Sequence, residues 1–183
     1  MSLAPISVLW RGLDPARPSL EHLHLTPWTR AEGVVVGLED GQPFTLAYGL
    51  EAQPDGHPSC LRLSLRAGRA LTLHRDGAGH WTDGAGRPWS ELEGCTDVDL
   101  QATPLTNTLP IRRLGLEVGG SAVLRAAWIG VPSLDVRAVR QRYTRLAAEL
   151  YRYENLESGF RAEVQVDGEG LVTLYPEAFE RLF

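Results

Sequence analysis

Apolar and polar residues alternate with a period of two along much of this chain, the pattern of β-strands that bury one face. The clearest case lies near the C-terminus, where Phe160, Ala162, Val164 and Val166 alternate with Arg161, Glu163, Gln165 and Asp167. Asp167-Gly168-Glu169-Gly170 offers a turn and residues 171–175 return, which predicts a hairpin. Pro176 ends the second strand, and residues 177–183 read as a short terminal helix. In a second hairpin Leu61, Leu63 and Leu65 share a face, Ala67-Gly68-Arg69 turns, and Leu71 and Leu73 resume the alternation. Further strands are predicted at residues 7–10, 22–25, 33–38, 44–50 and 123–129, with a surface loop at 13–19. Asp-Gly-Ala-Gly occurs at 76–79 and again at 83–86. Two tight turns around a short strand at Trp81 explain the pair, because neither copy reads G-x-G-x-x-G and no long helix follows.

One stretch supports two readings. Val136, Val139, Tyr143, Leu146, Ala147, Leu150 and Tyr151 fall on one face of a helix, yet the same residues fit two strands meeting near 147–149. A period of 3.6 accommodates more of the apolar positions, so the pattern by itself predicts a helix. Elsewhere turn residues recur every eight to twelve positions or so, as in a barrel or curved sheet. No solenoid-length repeat and no Pro/Gly/Ser linker divides the chain. Residues 1–183 therefore read as one mostly β domain.

Composition narrows the function classes. The chain has 183 residues, 43% of them hydrophobic, which suits a domain with a full core. A net charge of −5 argues against nucleic acid as a partner. All 18 basic residues are Arg, so every cation can make a planar, two-pronged contact with a carboxylate or phosphate. The two cysteines, Cys60 and Cys95, sit in apolar runs and read as buried thiols in a reducing compartment. The opening MSLAPISVLW has neither the basic start nor the apolar core of an export signal, and no apolar run approaches the roughly 20 residues of a spanning helix. A cytoplasmic location without a membrane span is the expectation, and a homodimer is compatible with it.

The densest chemistry lies in GCTDVDLQATPLTNTLPIRRL, residues 94–114. Asp97 and Asp99 alternate with Val98 and Leu100, so a strand would present both carboxylates on one face. Thr103-Pro104 breaks the ladder, Thr106, Asn107 and Thr108 suit a tight loop, and Pro110 is read as opening a strand with Arg112 and Arg113 on opposite faces. Two readings compete: a polar floor in an apolar cavity, or an ion-pair network joining Asp97 or Asp99 to Arg112. Asp-x-Asp as a metal motif lacks the surrounding βαβ unit. His22 and His24 share a strand face without a third ligand at fixed spacing, and Gly119-Gly120-Ser121 lacks the glycine that would complete a nucleophile elbow. No motif requires a cofactor or metal. Trp81, Tyr143 and Tyr153 belong to an aromatic set suited to a core or to a wall that stacks on a ligand.

The run GCTDVDLQATPLTNTLPIRRLGLEVG resembles the signature of a bacterial family named putative glycolipid-binding, formerly a domain of unknown function. Gln141-Arg142-Tyr143, Tyr151-Arg152-Tyr153-Glu154, Phe160, Asp167–Val172, Tyr175-Pro176, the opening Val8-Leu9-Trp10-Arg11 and Glu21 are similar to it as well, so the likeness spans nearly the whole chain. The resemblance implies a fold like that of lipoprotein carriers: a curved, half-open antiparallel sheet or partial barrel, closed by a few short helices around an apolar interior. It also makes residues 136–146 and 149–154 strands, against the helical pattern. By position it assigns Asp97, Asp99, Thr106, Asn107, Thr108, Arg112 and Arg113 to the signature. The function it implies is a lipid or glycolipid held in the concave face. The alternatives are an enzyme on a small amphiphile, with Asp97 or Asp99 as base and Arg112 holding an anion, and a protein-interaction module that presents a sheet edge.

Overall fold

A computed structural model of the chain describes residues 4–26 and 28–183. Seven strands run up and down in sequence: β1 (Ile6–Gly12), β2 (Ser19–Thr26), β3 (Arg30–Glu39), β4 (Gln42–Ala52), β5 (Pro58–Leu65), β6 (Ala70–Arg75) and β7 (Trp81–Asp83). Then come β8 (Asp97–Leu100), the helix α1 (Leu105–Leu114), β9 (Ser121–Ile129), β10 (Val136–Ala147), β11 (Leu150–Asn155), β12 (Arg161–Val166), β13 (Val172–Tyr175) and β14 (Phe179–Arg181). All fourteen strands belong to one sheet in the order 7-6-5-4-3-2-1-14-13-12-11-10-9-8. Every pairing is antiparallel except β8 with β9, which α1 connects as a parallel crossover.

One face of this sheet is buried and the other is wet. Along β2 the residues Glu21, Leu23 and Leu25 point inward while His22, His24 and Thr26 point out. Inward side chains form two apolar clusters. Trp10, Leu23, Val35, Leu46, Leu61, Leu73 and Trp81 pack with Val98, Leu100 and Ile129 in the first. Ile111, Val139, Tyr143, Tyr151, Val164, Val172 and Tyr175 make the second. The two halves are tied where β1 meets β14, and the Trp10 indole donates to the Val172 carbonyl at 2.8 Å.

The sheet does not close by strand pairing; β7 and β8 remain its edges. Residues 84–96 span the gap, and the Trp81 indole donates to the Cys95 carbonyl at 2.9 Å. No helix among the described residues is long and apolar enough to cross a membrane.

Three sequence expectations are corrected. Residues 177–183 do not form a helix: Phe179–Arg181 is β14, which fills the otherwise unpaired edge of β1. Residues 136–147 form β10, not a helix, as the family resemblance implied. Its inward positions are Val139, Gln141 and Tyr143, and the polar Gln141 in that phase conceals the alternation. Finally, Thr106, Asn107 and Thr108 lie in α1, with Pro110 inside the helix, where a loop and a strand were expected. Pro110 removes one backbone donor. Tertiary contacts offset that loss: the Thr103 hydroxyl accepts the Leu105 N–H at 3.1 Å, and the Leu100 N–H donates to the Thr106 hydroxyl at 3.2 Å.

Both arginines of α1 anchor its last turn. Arg113 pairs with the fully buried Asp97 and lies against Gly56 of the β4–β5 turn. Arg112 donates to the Glu169 carbonyl, and its guanidinium stacks 3.3 Å over Trp28. Asp97 is thus paired with Arg113 and not with Arg112: α1 carries its last turn back along β8, and Arg113 is the arginine of that turn that faces the carboxylate.

Removing one partner of a buried pair strands the other charge. Arg113→Met is expected to lower unfolding free energy by about 3–5 kcal/mol, and Asp97→Asn added to it should restore most of the loss. Urea unfolding of the single and double variants checks both values.

Candidate functional site

The strand ends opposite α1 surround an open cleft. Helix α1 contacts the β2–β3, β4–β5 and β12–β13 turns through Trp28, Gly56 and Gly170. The cleft lies at the other ends of those strands and holds about 560 Å³. Leu13, Pro15, Leu38, Phe44 and Val131 make much of its wall apolar, with Asp14, Arg17, Glu39 and Glu177 at its rim. Arg17 is already paired with Glu39 at 3.3 Å.

A second pocket of about 220 Å³ adjoins it. Gln101, Phe160, Ala178 and Phe179 line both, so they form the neck between them. Trp128, Tyr153 and Tyr175 supply aromatic surface in this smaller pocket, while Asp99, Thr103, Asn107, Asn155 and Ser158 supply polar atoms. The rings of Tyr143 and Tyr153 meet edge to face at 5.4 Å, and Tyr153 contacts Phe160 and Tyr175 at 6.2 Å each. Burial pushes the phenol pKa values of Tyr143, Tyr153 and Tyr175 up, so they act here as neutral hydroxyls.

Asp99 is the acidic group of the smaller pocket. Gln141 Nε2 donates to its Oδ2 at 2.6 Å, and the Tyr153 hydroxyl approaches the same oxygen at 3.5 Å. The Thr106 hydroxyl stands 3.5 Å from Oδ1. Burial raises the Asp99 pKa despite these donors. Asn107 Nδ2 donates to the Tyr143 hydroxyl at 2.9 Å, which locks the first turn of α1 to β10.

The structure separates the residues picked out in the sequence. Asp99, Asn107 and Tyr153 line the smaller pocket, and Thr106 and Tyr143 hold Asp99 and Asn107 from behind. Asp97, Arg112 and Arg113 are anchors of the far end of α1, Thr108 is wholly buried, and Trp81 bridges the sheet edges. Asp99 and Arg112 therefore do not converge on the pocket as the enzyme reading required. Gln141, Thr103, Trp128, Tyr175 and Phe179 were not among the expected ligand-binding residues, although Gln141 and Tyr175 lie in segments that resemble the family. A polar residue in an inward strand phase was the available signal for Gln141. His22 and His24 stand exposed on the outer face, and no group of three or more His, Cys, Asp or Glu side chains suited to a metal occurs among the described residues.

Behind Thr103 lies a second buried acid. Glu21 Oε1 accepts the Tyr48 hydroxyl at 2.5 Å and the Thr103 hydroxyl at 2.7 Å, while its Oε2 is buried without a partner. Gly33 makes room for the Tyr48 ring, since a Cβ there would come within 2.3 Å of it. Burial raises the Glu21 pKa to about 8 against the pull of both hydroxyls.

A sequence model of the family described as Putative glycolipid-binding matches residues 7–181. No curated protein matches the chain. Among solved structures, the crystal structure of a DUF1089 family protein from Pseudomonas aeruginosa at 1.80 Å resolution is 44% identical and superposes with a TM-score of 0.84. That match covers 90% of this chain and 92% of the other.

The Glu21 carboxyl titrates near 4.5 when unfolded and near 8 when folded. Between those values the native state holds the extra proton, so stability is greatest below the lower one and falls as pH rises toward the upper. Asp99, whose pKa is also raised, contributes with the same sign. The urea midpoint should therefore drop from about pH 5 to about pH 8, and Glu21→Gln should flatten most of that slope. A midpoint that climbs over this range would contradict the assignment.

Proposed function

This chain belongs to the Putative glycolipid-binding family, and on that premise we propose that it is a non-enzymatic binding protein for a single amphiphile, a lipid or glycolipid. The apolar cleft takes the hydrocarbon chain and the smaller pocket takes the polar end. One observation carries the proposal: a cleft of about 560 Å³ with aliphatic walls meets a pocket of about 220 Å³ that combines aromatic rings with hydrogen-bonding groups. Ligand sites commonly pair a mostly apolar lining with a few convergent polar atoms. Burying a hydrocarbon chain contributes about 0.8 kcal/mol per methylene, which the cleft can supply without catalysis. On this reading the concave face acts as it does in lipoprotein-carrier folds, as an apolar bed under a movable cargo. Asp99, Asn107 and Tyr153 touch the ligand, and Thr106 and Tyr143 position them. Trp81, Asp97, Thr108, Arg112 and Arg113 keep the frame.

Native mass spectrometry of protein purified from its own host is expected to reveal a bound species of lipid mass. Ala178→Trp, which fills the neck between the two spaces, should remove that species while leaving the circular dichroism spectrum unchanged. Empty wild-type protein, together with no thermal shift from any panel of single-chain lipids, would count against the reading.

A further inference from the structure

We propose that the smaller pocket is a headgroup site selective for one uncharged sugar-like ring and that Asp99 is its selector. This rests on the binding function proposed above and adds the chemical class of the ligand.

Charge is the first argument. Asp99 is the only ionisable acid or base among the residues that line the pocket, apart from the phenols of Tyr153 and Tyr175; no Arg or His lines it, and the chain has no Lys. Arg137 stacks 4.2 Å over the Trp128 ring but does not line this pocket. The outer cleft adds Asp14, Glu39 and Glu177 against one arginine, Arg17, which Glu39 engages. A phosphate, sulfate or carboxylate headgroup would have to shed its water beside a carboxylate and meet no free cation, which is strongly unfavourable. A hydroxyl suffers no such penalty. Ionised Asp99 accepts from it; protonated Asp99 both donates and accepts.

Shape and lining are the second. Hydroxyl-rich rings present polar edges and C–H faces. The pocket offers matching groups: Thr103, Asn107 and Asn155 for the edges, with Trp128, Tyr153 and Tyr175 for the faces. Its volume of about 220 Å³ is on the scale of one pyranose ring. Gln141 fixes Oδ2 of Asp99 at 2.6 Å, while Oδ1 has only the distant Thr106 hydroxyl at 3.5 Å, so Oδ1 keeps acceptor capacity for a ligand.

Isothermal titration calorimetry of the full chain with octyl β-D-glucoside, octyl β-D-maltoside and octyl phosphate, all below their micellar concentrations, tests this. The glucoside should bind about tenfold or more tighter than the phosphate, and tighter than the maltoside. Asp99→Asn should weaken the glucoside about tenfold and narrow its advantage over the phosphate. Ser158→Trp, placed on an exposed turn that lines the same pocket, should weaken the glucoside even if the Asp99 variant fails to fold. Equal binding of glucoside and phosphate, or a Ser158→Trp variant that binds glucoside like wild type, would overturn the headgroup assignment and leave chain binding standing. If none of the three amphiphiles binds, the binding function itself falls.

Discussion

A sheet of fourteen strands with a single apolar face can hide that face only by curling around it, and what fills the curl decides everything else about this molecule. Helix α1 fills one end. Its first turn is fixed by Thr106 and Asn107, and its last by Arg112 and Arg113. The charged pair Asp97–Arg113 is the deepest of these anchors, with Asp97 almost completely shielded from water. Such a pair adds little net stability relative to an apolar substitute, but it tolerates one register of helix on strand and penalises others. Because α1 is held at one end, the opposite end has nothing comparable to fill it, and the cleft remains there.

The two carboxylates of β8 illustrate how position sets role. Asp97 and Asp99 are two residues apart, about 6.6 Å along a strand. Helix α1 runs back along β8, so Asp97 meets the last turn, where a guanidinium neutralises it, and Asp99 meets the first turn, where only amide and hydroxyl groups are within reach. The same side chain is a structural clasp in one place and an under-neutralised acceptor facing open space in the other.

Polar groups behind the pocket wall form a connected set. Glu21 and Tyr48 on the N-terminal half hold Thr103, while Gln141, Tyr143 and Tyr153 on the C-terminal half hold Asp99 and Asn107. Buried polar networks of this kind rigidify their surroundings to the extent that their members are satisfied, and among these groups Glu21 Oε2 alone lacks a partner. Here the network spans both halves of the sheet through the β8–α1 segment, so the pocket's shape depends on the whole curve. Most of its members sit in buried strand or helix positions, which explains why a polar lining survives inside an otherwise apolar bend.

Alternation by itself determined most of the strands, both hairpins and the inward leucines of β5 and β6, because a half-buried strand writes its faces into the sequence residue by residue; in β3 the outward Val34, Val36 and Leu38 are apolar as well, so its faces are not legible that way. It failed where a buried position carries a polar side chain, as at Gln141 in β10, and where a helix contains proline, as in α1. It failed again at β14, whose three residues are strand only because β1 needs a neighbour. The resemblance to a known family repaired β10 and pointed to the β8–α1 segment, but it placed Asp97, Thr108, Arg112 and Arg113 beside Asp99 as equals. Which of them faces open space depends on how α1 folds back over β8 and on which end of the curve is left unfilled. Those are relations between segments far apart in the chain, and no local pattern of residues encodes them; the packed structure alone settles them.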